Sequence, residues 1–243
     1  MTTPAADRDD LSRPRPLDQA RLPPAGSLVV TDSALRTGTG PGPGPGSGPL
    51  PGQLPGSGPG GPGLRLRPWR PDDAPALVRG ATDPEYRRWN TPKLLVGTEA
   101  QALEWIRQRA EDYERGTGCV LAVAPGGGGR AIGSVGLGVL DLWMRRGTVG
   151  YWVLPEARGQ GVASGALDLF TRWAFGVVGL HRLSLGHAVG HDVSCRVAER
   201  CGFRYEGTLR GEMFEAGDTS CFRDAHLHAR LATDPAPEPG APA

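Results

Sequence analysis

The sequence is short of several things that would each point to a class of protein. It has only four cysteines, at 119, 195, 201 and 221. They form no C-x-x-C pair and show no cysteine–histidine spacing of the kind that holds zinc. They read as reduced thiols of a cytoplasmic protein, and no metal is expected. No apolar run approaches the roughly 18 residues needed to span a bilayer, so no membrane partner is expected. Met1 is followed by acidic and polar residues, not by a basic segment and an apolar stretch, so no secretory leader is read there. Neither sign of charge dominates. Lys and Arg number 27 against 26 Asp and Glu, for a formal charge of +1, which advertises no affinity for nucleic acid.

Glycine and proline are abundant, at 38 and 24 residues, and unevenly spread. They fill most of 38–63, in runs such as P-G-P-G-P-G. A segment with so little apolar surface cannot repay the entropy of ordering. Residues 1–63 are therefore expected to be a disordered arm, and the Pro-rich stretch 232–243 a disordered tail. Between them, 64–231 carries enough apolar sequence for one core.

The stretch around which this region is organised is T-V-G-Y-W-V-L-P-E-A-R-G-Q-G-V-A, 148–163. Its first seven residues are uncharged and mostly β-branched or aromatic, and Pro155 ends them, which predicts a buried strand. Val162, Leu167, Leu169, Phe170, Trp173 and Ala174 then follow helical spacing. The strand thus enters a helix through Arg158, Gly159, Gln160, Gly161, Val162 and Ala163. A turn without bulky side chains lets backbone N–H groups approach an anion, and the unpaired amides of the first helical turn carry partial positive charge. Two familiar phosphate loops are excluded. The P-loop needs Lys and then Ser or Thr after its second Gly, and the dinucleotide fingerprint needs a third Gly. The pattern present is R-x-x-G-x-A, read at Arg158, Gly161 and Ala163.

On either side the pattern predicts a strand over 64–67, a helix from about 71, and a flexible connection over 84–92. A second helix is predicted over 98–115, capped by Thr98, with Leu103, Ile106 and Ala110 on one face. Strands over 119–124 and 131–140, joined by a glycine turn, complete an antiparallel meander with 148–154. Beyond the central helix come a strand over 182–189, a short helix opened by Asp192 or Ser194 and ending at Arg200, and two strands over 203–209 and 221–231, joined by a hairpin over 215–218.

Three stretches together carry a resemblance: Y-W-V-L-P-E-A-R-G-Q-G-V-A, the opening L-R-L-R-P-W-R-P-D-D-A, and S-C-R-V-A-E-R-C-G-F-R-Y-E-G-T-L-R. They resemble the GNAT acetyltransferase superfamily, in its RimJ/RimL-like branch that acetylates the amino termini of ribosomal proteins. The resemblance covers 64–231. It implies an α/β (α+β) fold with a mixed, mostly antiparallel central sheet of about seven strands and about four helices. It also implies acetyl-CoA as cosubstrate, held by the amides of Gly159, Gln160, Gly161, Val162 and Ala163 with Arg158 nearby. The amide of Val153 would bond the pantetheine arm and that of Tyr151 would face the acetyl oxygen, with the Tyr151 ring serving as packing. His191 stands where relatives carry an Asn that contacts the cofactor.

Acetyl transfer to an amine also needs a proton donor and a base. The resemblance offers Ser194 as the donor, although a Ser near a helix start is equally read as its cap. Glu212 and His187 are the candidate bases, Glu212 lying one residue from the position the family uses. His226 and His228 share a strand face without an evident third ligand and read as structural. Tyr86, Arg87 and Trp89 are candidate contacts to the acceptor. That acceptor is expected to be the α-amine of a protein or peptide. The alternatives are a small-molecule amine such as an aminoglycoside or metabolite, or a non-catalytic acyl-CoA-binding module. The chain is expected to act as a monomer or homodimer.

Overall fold

The computed structural model describes residues 63–91, 96–216 and 218–237. The expected arm lies outside the described residues apart from Gly63, as does the tail from 238 onward. Among the described residues the seven strands are β1 (Leu64–Arg67), β2 (Val120–Pro125), β3 (Gly133–Asp141), β4 (Arg146–Val153), β5 (Arg182–Ala188), β6 (Arg204–Glu215) and β7 (Asp218–Leu231). They form one sheet in the order β1-β2-β3-β4-β5-β7-β6. Every neighbouring pair is antiparallel except β4 and β5. The helices are α1 (Ala74–Thr82), α2 (Pro84–Trp89), α3 (Glu99–Glu114), α4 (Val162–Gly176) and α5 (Asp192–Arg200).

Strand alternation divides the core in two. Leu121 and Val123 of β2 join one apolar cluster while Ala122 between them joins the other, as a period of two requires. The larger cluster gathers under α4, whose Leu167, Phe170 and Trp173 pack with Val135, Val149 and Leu183 of the sheet. Burying a Phe such as Phe170, fully enclosed, contributes about 1.5–3 kcal/mol. On the opposite face α1 and α3 supply Leu77, Ala102 and Ile106, with Trp69 and Leu154. A buried ion pair fastens the start of the chain to this scaffold. The Arg67 guanidinium donates to both Asp73 carboxylate oxygens, at 2.6 and 2.9 Å. Asp73 also accepts from the amides of Ala131 at 2.8 Å and Arg70 at 3.0 Å.

Four expectations are corrected. Residues 84–89 form helix α2 instead of a flexible connection, because Asp83 accepts from Tyr86 N at 3.0 Å as its cap and Pro84 fills the first turn. This raises the count to five α-helices among the described residues. In α3 the buried line is Ala102, Ile106 and Tyr113, while Leu103 and Ala110 are exposed; Trp105 sits edge-on to Trp69 at 5.7 Å and fixes that rotation. The last two strands are longer than expected and carry register shifts at three places, one of them between Leu209 and Met213. Residues just past β7 are tied down, with Ala232 N donating to His181 O at 2.8 Å and Asp234 accepting from Leu231 N.

Candidate active site

The parallel pair β4–β5 holds together over only three positions, from Arg146↔Arg182 to Thr148↔Ser184. Beyond Thr148 the strands separate, and the sheet opens into a wedge. Which groups of β4 face that wedge follows from its other neighbour. Gly133 opposes Val153 in the antiparallel pairing with β3, and Leu154 N donates to Ile132 O at 2.9 Å. In an antiparallel ladder the bonded residues alternate, so Trp152 and Gly150 also point their amides at β3. The amides of Val153, Tyr151 and Val149 therefore point toward the gap.

At the end of β4 a 3-10 turn, Pro155–Ala157, leads into the glycine loop and α4. Gly159 and Gly161 have φ of 72° and 75°, a left-handed conformation that glycine adopts without steric cost. A Cβ at either would meet nothing within 4 Å, so the glycines open space as well as turning the chain. The first helical bond runs from Gly165 N to Gly161 O at 2.9 Å. The amides of Val162, Ala163 and Ser164 consequently have no carbonyl one turn back within the helix. Gln160 turns away, its Nε2 donating to Glu156 O at 2.8 Å. Arg158 is held beside the loop by the Val153 carbonyl, to which its Nε donates at 3.1 Å, and by an ion pair with Asp83.

The wedge and the loop share one cleft of about 220 Å³, whose lining includes Val149 to Val153, Arg158, Ala163, His187, His191 and Ser194. Ser194 is buried in the first turn of α5. Its hydroxyl lies 3.2 Å from the Tyr151 hydroxyl, and it makes no cap, since His191 occupies that position without a side-chain bond. Burial raises the Tyr151 pKa, so the phenol stays protonated. The expectation that the Tyr151 ring serves only as packing is thus corrected: its hydroxyl reaches the one serine proposed to move a proton.

The mouth is aromatic. His191 stacks flat on Trp89 with centroids 4.7 Å apart, Arg223 lies 5.8 Å from the same ring, and Tyr86 meets Trp152 edge-on. Burial lowers the pKa of His191. Tyr86 and Trp89 line the cleft, whereas Arg87 is exposed and donates to Ala81 O at 3.1 Å. The two candidate bases fare differently. Met213 faces the cleft while its neighbour Glu212 is exposed and outside the lining, as alternation along a strand dictates. His187 is buried at the cleft floor, but its Nδ1 is bonded to Ala188 O at 3.0 Å. Its Nε2 faces Cys195 Sγ and His228 Nε2. Burial, as the main cause, lowers its pKa to about 4, which makes it a weak base.

Sequence reasoning missed Glu85 and Val193 in the lining and Cys195 beside His187, whereas Met213 is the position one residue past Glu212 to which the family alignment pointed. Glu85 was signalled by the Asp83–Pro84 helix start; the others depend on distant segments meeting.

The glycine turn, the splayed parallel pair and the short helix above it occur together over residues 63–204, which match the acetyltransferase (GNAT) domain family. The chain belongs to the GNAT family. It is an N-acetyltransferase by that membership. It is similar to the Bacillus subtilis uncharacterized N-acetyltransferase YoaA, 27% identical over 154 residues, which are 63% of this chain and 86% of that protein. Among solved structures it is similar to Mycobacterium smegmatis RimJ in complex with CoA-disulfide. The identity there is 25%, the TM-score 0.63, and 70% of this chain and 83% of that one are covered. It shares its fold with the ribosomal-protein-S5-alanine acetyltransferase of Vibrio fischeri, at 20% identity and TM-score 0.61, over 70% and 94% of the two chains. Among the described residues of this GNAT protein no helix is long and apolar enough to cross a membrane.

Proposed function

We propose that the chain transfers the acetyl group of acetyl-CoA to the α-amine of a protein or peptide. The observation that carries the reading is the wedge itself: β4 turns the amides of Tyr151 and Val153 into a gap that ends on the open glycine loop. Amides of 159–163 with Arg158 would hold the pyrophosphate, and the pantetheine arm would lie along β4 and bond Val153. The neutral amine attacks the thioester carbonyl. A C–N bond forms as the carbonyl oxygen gains charge, and the Tyr151 amide donates to it. The C–S bond then breaks, and the departing thiolate takes the proton of Ser194, which Tyr151 replenishes across 3.2 Å. The amine gives up its proton to water, and a proton from water restores Tyr151, so both hydroxyls end the cycle neutral.

The choice of amine rests on basicity. An α-amine titrates near 7.7–8.0 and a Lys near 10.4, so the α-amine costs about 3.5 kcal/mol less to deprotonate. His187 is a weak base and Glu212 lies outside the cleft, an arrangement suited to an amine that is already partly neutral. The name of the ribosomal-protein-S5-alanine acetyltransferase agrees with a protein acceptor.

Labelled acetyl-CoA and a panel of peptide amino termini, lysine side chains and aminoglycosides test the reading. Transfer to peptide α-amines is expected. Transfer only to small amines would replace the protein acceptor with a small molecule, and binding without consumption of acetyl-CoA would leave a non-catalytic module.

A further inference from the structure

Beneath the cleft floor four side chains converge from three elements that are far apart in sequence. His187 of β5 stands directly opposite His226 of β7 in the antiparallel pairing, and His228 is two residues further along the same face. Helix α5 lays Cys195 over them. Their candidate ligand atoms all lie within 4.8 Å of one another. His187 Nε2 is 3.3 Å from His228 Nε2 and 3.4 Å from Cys195 Sγ, and Cys195 Sγ is 3.4 Å from His226 Nδ1. We propose that His187, Cys195, His226 and His228 form a closed metal site for zinc or a similar borderline-soft divalent ion.

The spacing suits that ion. Tetrahedral zinc with Zn–N of about 2.05 Å and Zn–S of about 2.3 Å sets neighbouring nitrogens about 3.3 Å apart and nitrogen from sulfur about 3.5 Å apart. The three close contacts fall near those values, and small side-chain rotations would close the longer edges. One thiolate with three imidazoles is a donor set that favours zinc over magnesium or calcium.

The surrounding groups orient the ligands. Ala188 O can only accept, so His187 carries its proton on Nδ1 and presents the Nε2 lone pair to the cluster. His228 is fully buried, and its Nδ1 has no hydrogen bond. Ligation through Nε2 would put the proton on that Nδ1. Tyr205 covers the outer side, edge-on to His226 at 5.2 Å and His228 at 5.5 Å. Binding M²⁺ releases the Cys195 thiol proton and forms an M–S bond, with no change of oxidation state.

With four protein ligands the site has no open position, so its role is structural. It pins β5, β7 and α5 together next to Ser194, which neighbours Cys195. The site also revises the expectation of no metal and the reading of His226 and His228 as a pair without further ligands.

Cobalt titration of the chelator-stripped full chain tests the proposal. Saturation at one equivalent is expected, with tetrahedral d–d bands and a thiolate-to-cobalt charge-transfer band, all displaced by zinc. Cys195→Ala should lose the charge-transfer band and His226→Ala should weaken binding, while Cys221→Ser, at the exposed thiol, should leave the spectrum unchanged. Absence of the charge-transfer band in the folded wild type, or its persistence in Cys195→Ala, would overturn the site. If Cys195→Ala does not fold by circular dichroism, X-ray absorption at the zinc edge of the wild type decides: one sulfur with three nitrogens supports the site, and a shell without sulfur rejects it.

Discussion

Replacing Gly161 by Asp and by Asn separates charge from backbone at the heart of the proposed cofactor loop. Both substitutions meet the same geometry, a φ of 75° with nothing within 4 Å of the new Cβ. Each side chain should cost about 1 kcal/mol of stability for its left-handed conformation, with no steric clash added. Only Asp brings a negative charge. About 5 Å from the pyrophosphate, in an effective dielectric of roughly 40, a carboxylate is repelled by about 1.7 kcal/mol per phosphate charge. Two such charges give about 3 kcal/mol, or roughly 100-fold in the Kd for acetyl-CoA. Calorimetric titration of both variants should show Asn close to the wild type and Asp about two orders of magnitude weaker. The gap should narrow as salt is added, because the loop is exposed. Urea unfolding should show the two losing similar stability. Equal affinity of the Asp and Asn variants would refute an anion at this loop.

Ser194→Ala and Tyr151→Phe are each expected to lower kcat by about 10²-fold with little change in KM for acetyl-CoA. The double variant should lose scarcely more than either single one; full additivity in steady-state kinetics would separate the two hydroxyls. Asp73→Asn should cost about 3–5 kcal/mol in denaturant unfolding, because it strands the buried Arg67 guanidinium. Burial pushes the Asp73 carboxyl up, but Arg67 and the Ala131 and Arg70 amides more than reverse this and leave it below its ordinary 3.8. Its folded pKa is the lower one, so the pair's contribution is present above about pH 3.8 and lost as the pH falls through the folded value. Acid unfolding of the wild type should show that loss and Asp73→Asn should lack it; identical acid profiles would count against the pair. Gly80→Ala places a methyl group into the Trp152 ring, so a loss of about 1–3 kcal/mol and altered Trp152 fluorescence are expected. Unchanged stability would mean that α1 stands further from the sheet.

Much of the fold was legible because its signals are local. The 148–154 strand, the glycine loop and the amphipathic α4 each declare themselves within one or two turns of chain, and the cradle at Gly159 and Gly161 follows from the same residues. What was not legible depends on which way a segment faces once packed. Leu103 was read as core from helical spacing, but the Trp69–Trp105 contact turns α3 so that Ala102 and Ile106 are buried. Glu212 and Met213 differ by one residue, and register shifts along β6 blur any count made from a distance. The α2 signal, Asp83 followed by Pro84, was present and was outweighed by the charged residues around it. The cluster of His187, Cys195, His226 and His228 spans three elements, and only the β5–β7 pairing, between strands separated in sequence by α5 and β6, brings it together.

The central claim is that β4 offers its Tyr151 and Val153 amides to the pantetheine arm of a cofactor whose pyrophosphate sits on the glycine loop. A crystal structure of the full chain with coenzyme A measures this directly. The account predicts the arm lying in the wedge between β4 and β5, bonded to Val153 N, with its sulfur near Ser194 and its diphosphate on the amides of 159–163. Coenzyme A bound elsewhere, with the wedge closed or filled by side chains, would contradict it.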